Sequence, residues 1–303
     1  MSSRLSRRGP QRVHAELIRL TIPTLIATLA VPIVGLLDTF FLGHLPEPTD
    51  LAGAAAAGAI LNNLLWVFGF LRMGTVGLVA HAAGRQDAEG AARVLFQALL
   101  LAAGAGVALI ALQGPIARIG LWVMGAAPKV TAKAELYFRI AMLQAPFALA
   151  LYGVNGYLRG WGDAVRPMQL TFLIGGINAA LDALLVPGWA GLPAWGAAGA
   201  AAASVIAIAT GSLCGIGFAW RRARRAWDWG WLRRWRRLPW RPFLAIQFDL
   251  LVRTLLLVVT LGAVTVLAAR LPLPRSSPRT RSCCSCGGWR ATGWTGSHSR
   301  RRR

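Results

Sequence analysis

The stretch IPTLIATLAVPIVGLLDTFFLGHL, residues 22–45, decides the fold class. A helix needs about 20 mostly apolar residues to cross a hydrocarbon core, and this stretch supplies them with a single charge, Asp38. It also holds Pro23 and Pro32, each of which removes a helix hydrogen bond and favours a bend. A charge inside a span is costly and is a functional candidate by default. The competing reading is positional. Asp38 stands about 7 Å from the helix end at Gly43, at 1.5 Å per residue, so it could sit at the wet interface.

Six further runs of the same kind follow, which predicts an all-α polytopic membrane protein. The seven spans are read at 17–43, 51–80, 92–122, 132–157, 166–188, 194–220 and 243–270. Composition agrees. The 303 residues are 55% hydrophobic and 15% charged, where soluble domains carry about 25% charged residues. The net charge of +22 raises a nucleic-acid partner, but the arginines sit in short clusters between apolar runs and not on one continuous face. No cleavable signal peptide is read at the N-terminus, because its basic residues run into an apolar stretch too long for a signal h-region.

The clusters orient the chain. With the N-terminus in the cytoplasm, one side collects seventeen arginines: Arg4, Arg7, Arg8 and Arg12, then Arg85 and Arg93, Arg159 and Arg166, and nine between Arg221 and Arg241. The other side holds chiefly Lys129 and Lys133. This is the positive-inside bias. Residues 1–16 are then a basic cytoplasmic N-terminus, 17–220 a six-helix lobe, 221–242 an Arg/Trp-rich cytoplasmic loop and 243–271 a seventh transmembrane helix. The loop's tryptophans suit headgroup-level anchoring, and 221–238 suits an in-plane amphipathic helix. Small residues such as Gly104, Gly106, Gly175, Gly176, Gly199, Gly211 and Gly215 predict close helix packing.

In the fifth span Asn178 and Asp182 lie at i, i+4 on one helix face, inside an otherwise apolar run. Two such groups can bind a proton or small cation together; the alternative is a hydrogen bond that joins helices. Asn62, Asn63, Gln97 and Gln144 read as packing contacts, and Arg72 as a residue that snorkels or pairs with a carboxylate. No motif for nucleotide binding, a nucleophile elbow or a zinc protease occurs, so no enzyme is expected.

Several of these stretches resemble multidrug and toxic compound extrusion (MATE) transporters, in the DinF-like branch. Residues 22–45 resemble the family's first helix. FGFLRMGTVGLVAHAAGRQD (68–87) resembles the end of its second, where the family usually has Gln at the place of His81. LRGWGDAVRP (158–167) resembles the loop before its fifth helix, and INAALDALLV (177–186) its fifth-helix Asn and Asp pattern. The resemblance covers about residues 15–271. It implies a twelve-helix antiporter of two six-helix lobes in a bacterial inner membrane, exporting organic, often cationic compounds in exchange for protons or sodium. By position it implies a cation or proton site from Asp38, Asn178 and Asp182, with Ser204 where the family often has Thr. No cofactor is implied beyond the coupling ion, and the partners are the bilayer and a small organic substrate.

After Leu271 the composition changes. Residues 272–303 contain eight arginines and no Lys, Asp or Glu. Cys283, Cys284 and Cys286 fit none of the usual closed zinc patterns, so no metal is expected. Reverse translation of Ser276–Gly287 allows LAAHAVLLQLW from the third base of the Ser276 codon, and Gly293–Ser299 allows LDGFAQ in the same frame. Both peptides resemble the family's eighth helix. A frameshift is therefore expected to have replaced the second lobe with a disordered tail. The alternatives to cation-coupled export are a lipid-linked precursor flippase and an inactive truncated product. One lobe cannot rock against a missing partner unless two chains pair.

Overall fold

The computed structural model describes residues 10–43, 48–125, 128–188, 195–224 and 240–270. The first arginines of the N-terminus, most of the Arg/Trp-rich segment and the cysteine-bearing segment lie outside the described residues. The described residues are helical without a strand: α1 (Pro10–Gly43), α2 (Pro48–Val67), α3 (Phe70–Gly84), α4 (Ala88–Ala111), α5 (Gln113–Met124), α6 (Pro128–Ala141), α7 (Ala145–Gly160), α8 (Val165–Leu185), α9 (Gly196–Ala223) and α10 (Trp240–Arg270). One compact unit ends at Leu256 and a second begins at Leu257.

Seven stretches are long and apolar enough to cross a membrane: Thr21–Gly43, Thr49–Gly84, Ala88–Ala111, Pro128–Gly160, Val165–Leu185, Gly196–Ala223 and Trp240–Leu261. The expected number of spans holds, but three of them carry interruptions that hydropathy does not register. The span read at 92–122 ends at Ala111, and α5 starts afresh after Leu112. Pro115 has no N–H to continue the α4 ladder and suits the first turn of a new helix instead. The second span tightens between α2 and α3. There Phe68, Gly69 and Leu71 each donate to the carbonyl three residues back, at 2.9–3.0 Å. A Cβ on Gly69 would stand 2.9 Å from the Trp66 carbonyl oxygen, so the turn needs glycine. The fourth span passes through a 3-10 turn at Met142–Gln144. Pro146, two residues on, cannot donate to Met142 and enforces the change of ladder. By contrast α1 runs as one helix through Pro23 and Pro32.

Two of the quoted motifs turn out to build caps. Asp87 accepts the Gly90 N–H at 2.7 Å and starts α4. Asp163 accepts the N–H groups of Val165 and Arg166 at 3.2 and 3.1 Å and starts α8. Between α7 and α8, Gly162 takes φ +76°, a left-handed value that glycine adopts without steric cost.

The main packed pairs are α8 with α9, α4 with α7, α3 with α7, α2 with α6 and α1 with α8. Small residues set their spacing. Gly106 lies directly against Pro146 of α7, Gly211 against Ile174, and Gly175 against Val34. Gly104 and Gly176, read as equivalent from composition, face open space. Large apolar side chains point outward along α1, among them Leu29, Ile33, Leu36 and Phe40, as a surface against lipid or a partner requires.

Candidate functional site

Asp38 and the Asn178/Asp182 pair lie on helices 140 residues apart in sequence, and close packing of α1 on α8 brings them together. A Cβ on Gly175 would reach within 2.7 Å of Val34 Cγ2, so glycine is what lets the helices touch there. One turn further along each helix come Asn178 and Asp38. Asn178 Nδ2 donates to Asp38 Oδ1 at 2.7 Å and to Asp182 Oδ2 at 2.8 Å. Both amide protons are thus committed to carboxyl oxygens.

The cluster is enclosed. Asn178 is 4% exposed and Asp182 1%, while Asp38 is half-buried. Although both acids stand near helix ends, an apolar group of Leu42, Ala54, Val186, Ala197 and Ala200, with Tyr137 packed on it, covers this part of the lobe. The second oxygen of Asp182, Oδ1, is buried with no hydrogen-bond partner among the described residues. A buried carboxyl oxygen with no donor is an acceptor waiting for a proton or a cation.

On its half-buried side Asp38 opens onto a cavity of about 590 Å³, lined also by Gly58, Asn62, Tyr137, Gln144 and Tyr152. That volume is within the range of small-molecule sites. The chain has three tyrosines, and two of them line this cavity. Tyr137 lies within electrostatic reach of both Asp38 and Asp182. Sequence reasoning passed over it, and the only signal was the scarcity of the residue type. Gln144 and Asn62, read as packing residues, also line the cavity, and Gln144 Oε1 has no hydrogen-bond partner among the described residues.

Ser204 is half-buried on α9 and makes no hydrogen bond to the Asp38–Asn178–Asp182 cluster. Pro23 lies about four turns before Asp38 on α1 and Pro32 fewer than two. Arg72 meets an aromatic ring rather than a carboxylate, its guanidinium carbon 5.9 Å from the Tyr152 ring centroid. Among the described residues no group of three His, Cys, Asp or Glu side chains could hold a metal ion.

Comparison with known proteins matches the MatE family model over residues 23–184. The chain is 35% identical to DNA damage-inducible protein F of Escherichia coli over 262 residues, covering 83% of this chain and 54% of that protein. It is 27% identical to a probable multidrug resistance protein NorM of Thermotoga maritima, over 66% of this chain and 43% of that one. A solved outward-facing conformation of a multidrug resistance MATE family transporter of the MOP superfamily superposes with a TM-score of 0.67 at 25% identity, over 79% of this chain and 51% of that one. The chain thus spans about half the length of the relatives it matches.

Proposed function

We propose that this chain, which belongs to the MatE family of multi-pass membrane transporters and is not an enzyme, carries the coupling-cation half of an antiporter that exports organic, often cationic compounds. The observation that supports this most is the single Asn178 amide bridging Asp38 and Asp182 beside an open cavity. Two carboxylates at that spacing repel unless a proton or small cation stands between them. The unpartnered Asp182 Oδ1 is an acceptor suited to receiving it.

The mechanism follows as linkage. Uptake of a proton or sodium ion changes the charge at the Asp38–Asn178–Asp182 cluster. Asp38 also lines the cavity, so the same event changes the field an organic cation meets there. Each ligand then alters the other's affinity by an equal factor. The proline-bearing α1, which presents Asp38, is the element whose packing the charge would bias. Alternating access requires a second lobe or a second chain to move against this one. The location proposed is the inner membrane of a bacterium, from the relatives, with the N-terminus in the cytoplasm, from the arginine distribution.

The test is coupled export in vesicles by this chain joined to a second lobe, driven separately by a proton gradient and by a sodium gradient. Asp38→Asn and Asp182→Asn are each expected to abolish driven export at normal expression. Retention of export by both variants would overturn the site. The 303-residue chain alone, assayed beside the joined one, tests whether one lobe suffices. The coding DNA tests the frameshift reading of 272–303: it must permit LAAHAVLLQLW and LDGFAQ in one alternative frame.

A further inference from the structure

A second charged cluster lies on α3 and α7, and nothing in the proposed export cycle uses it. The two helices run side by side with almost no space between them. A Cβ on Gly156 would stand 2.7 Å from Thr75 Cβ and 2.9 Å from the Arg72 carbonyl oxygen, and one on Gly160 would stand 2.6 Å from Val79 Cβ. This contact carries Arg72 and Arg159 to one region, where each guanidinium lies within electrostatic reach of the other.

The usual sources of compensation are taken. Asp163, the acid closest in sequence to Arg159, is bound by Arg166 at 3.3 Å and by two backbone N–H groups. The last carbonyls of α7, which could serve a cation at a helix C-terminus, already accept bonds from the amides of residues 161–163. Arg72 has the Tyr152 ring on one side. Among the described residues neither guanidinium has a carboxylate or a hydrogen-bond acceptor. The two helices also carry three buried polar atoms without partners: the donors Arg159 Nε and Thr75 Oγ1 and the acceptor Asn155 Oδ1. Arg159 and Asn155 stand at i, i+4 on one face of α7, and Arg72 and Thr75 at i, i+3 on one face of α3.

Two like charges held close together disfavour each other unless an anion joins them. Guanidinium forks match tetrahedral oxyanions, with up to two parallel hydrogen bonds from each. Arg72 itself is exposed, and its neighbour on the outer flank of α3, Met73, is an exposed apolar side chain. A ligand with an anionic head and an apolar body satisfies both features. We propose that Arg72 and Arg159 form an oxyanion site that holds the phosphate of a phospholipid headgroup at the outer edge of the α3–α7 contact. The site ties these two helices together through the lipid.

The experiment uses the full chain, purified in maltoside micelles and stripped of lipid, with thermal unfolding followed as a ligand is added. A ligand that binds the folded state raises the midpoint by mass action. Phosphatidylglycerol is expected to raise it saturably, and diacylglycerol with the same acyl chains, which lacks the phosphate, is expected to leave it unchanged. The double variant R72Q/R159Q is expected to need at least about tenfold more phosphatidylglycerol for the same shift. R159K keeps the charge but loses the fork, so a weakening of about three- to fivefold is expected; it serves as the reading if the double variant fails to fold. R221Q/R224Q removes two exposed arginines from the end of α9 and is expected to bind as the unaltered chain does.

Equal weakening by R221Q/R224Q would mean diffuse attraction to an anionic surface and would overturn the proposal. So would unchanged binding by R159K together with R72Q/R159Q. If inorganic phosphate at millimolar concentration gives the whole shift and phosphatidylglycerol adds nothing, the oxyanion site stands but the lipid assignment is wrong.

Discussion

The α1–α8 contact and the α3–α7 contact solve the same physical problem in opposite ways. Each brings two like charges close together, which is unfavourable unless something bridges them. At α1–α8 the chain supplies a hydrogen-bonding bridge: Asn178 donates one N–H bond to each carboxyl group. At α3–α7 the two arginines have an aromatic ring and no acceptor among the described residues. The first arrangement leaves one buried oxygen open, on Asp182, and suits a small cation that comes and goes. The second leaves a donor surface open and suits an anion that stays. What separates the two is whether the chain itself contains the bridging group.

The difference can be broken most severely at Asn178. Asn178→Leu removes both bridging bonds and leaves Asp38 and Asp182 facing each other with no donor. A loss of about 1–3 kcal/mol is expected, from the value of hydrogen bonds to charged groups and their reduced worth within membranes. Thermal unfolding in detergent reads it directly. A cycle of single and double variants at Asn178 and Asp38 should return most of that loss as coupling. The corresponding cycle at Arg72 and Tyr152 should return no more than about 1 kcal/mol, the scale of a cation–π contact at an exposed site. Equal coupling at both places would remove the distinction drawn above.

Geometry can be challenged next. Gly175→Val forces a side chain into Val34 and should push α8 off α1, at about 1–3 kcal/mol by the usual cost of overpacking. Driven export should fall with it, because Asn178 and Asp38 would separate. Gly176→Val points into open space and should change stability by no more than about 0.5 kcal/mol. If the two glycines behave alike, the packing account of the site fails. The smallest effect belongs to the ion pair of Lys133 with Asp50, 2.9 Å apart between α6 and α2. Lys133 is substantially exposed, so Lys133→Met should cost at most about 1 kcal/mol, and less in high salt.

Much of the candidate site was legible because its chemistry is unusual for its surroundings. Asp38 and the Asn178/Asp182 pair are polar groups in runs that otherwise exclude them, and an intramembrane carboxylate is rare enough to be noticed alone. Tyr137 was not legible, since a tyrosine in a span violates no rule; its nearness to both acids depends on α2 packing against α6. Ser204 shows the converse. Its residue type and its position in the family pattern suited the site, yet the register of α9 leaves it outside the hydrogen-bonded cluster. Asp87 and Asp163 fall within the stretches that resemble the family, and local geometry uses them to accept N–H groups at helix starts.

Sequence alone determined that the chain crosses a membrane in seven spans and that Asp38 and Asp182 lie within two of them, because hydrophobic length and the cost of burying charge are properties of contiguous residues. The interruptions at Gly69, Leu112 and Met142–Gln144 were local as well, but they depend on ladder geometry that hydropathy averages away. Only tertiary structure decided that Asp38 meets Asp182 through Asn178, that Gly175 works where Gly176 does not, and that Arg72 and Arg159 share one space. These are contacts between helices far apart in the chain. Their existence rests on interhelical distances of a few ångströms, set by which small residue happens to face which neighbour.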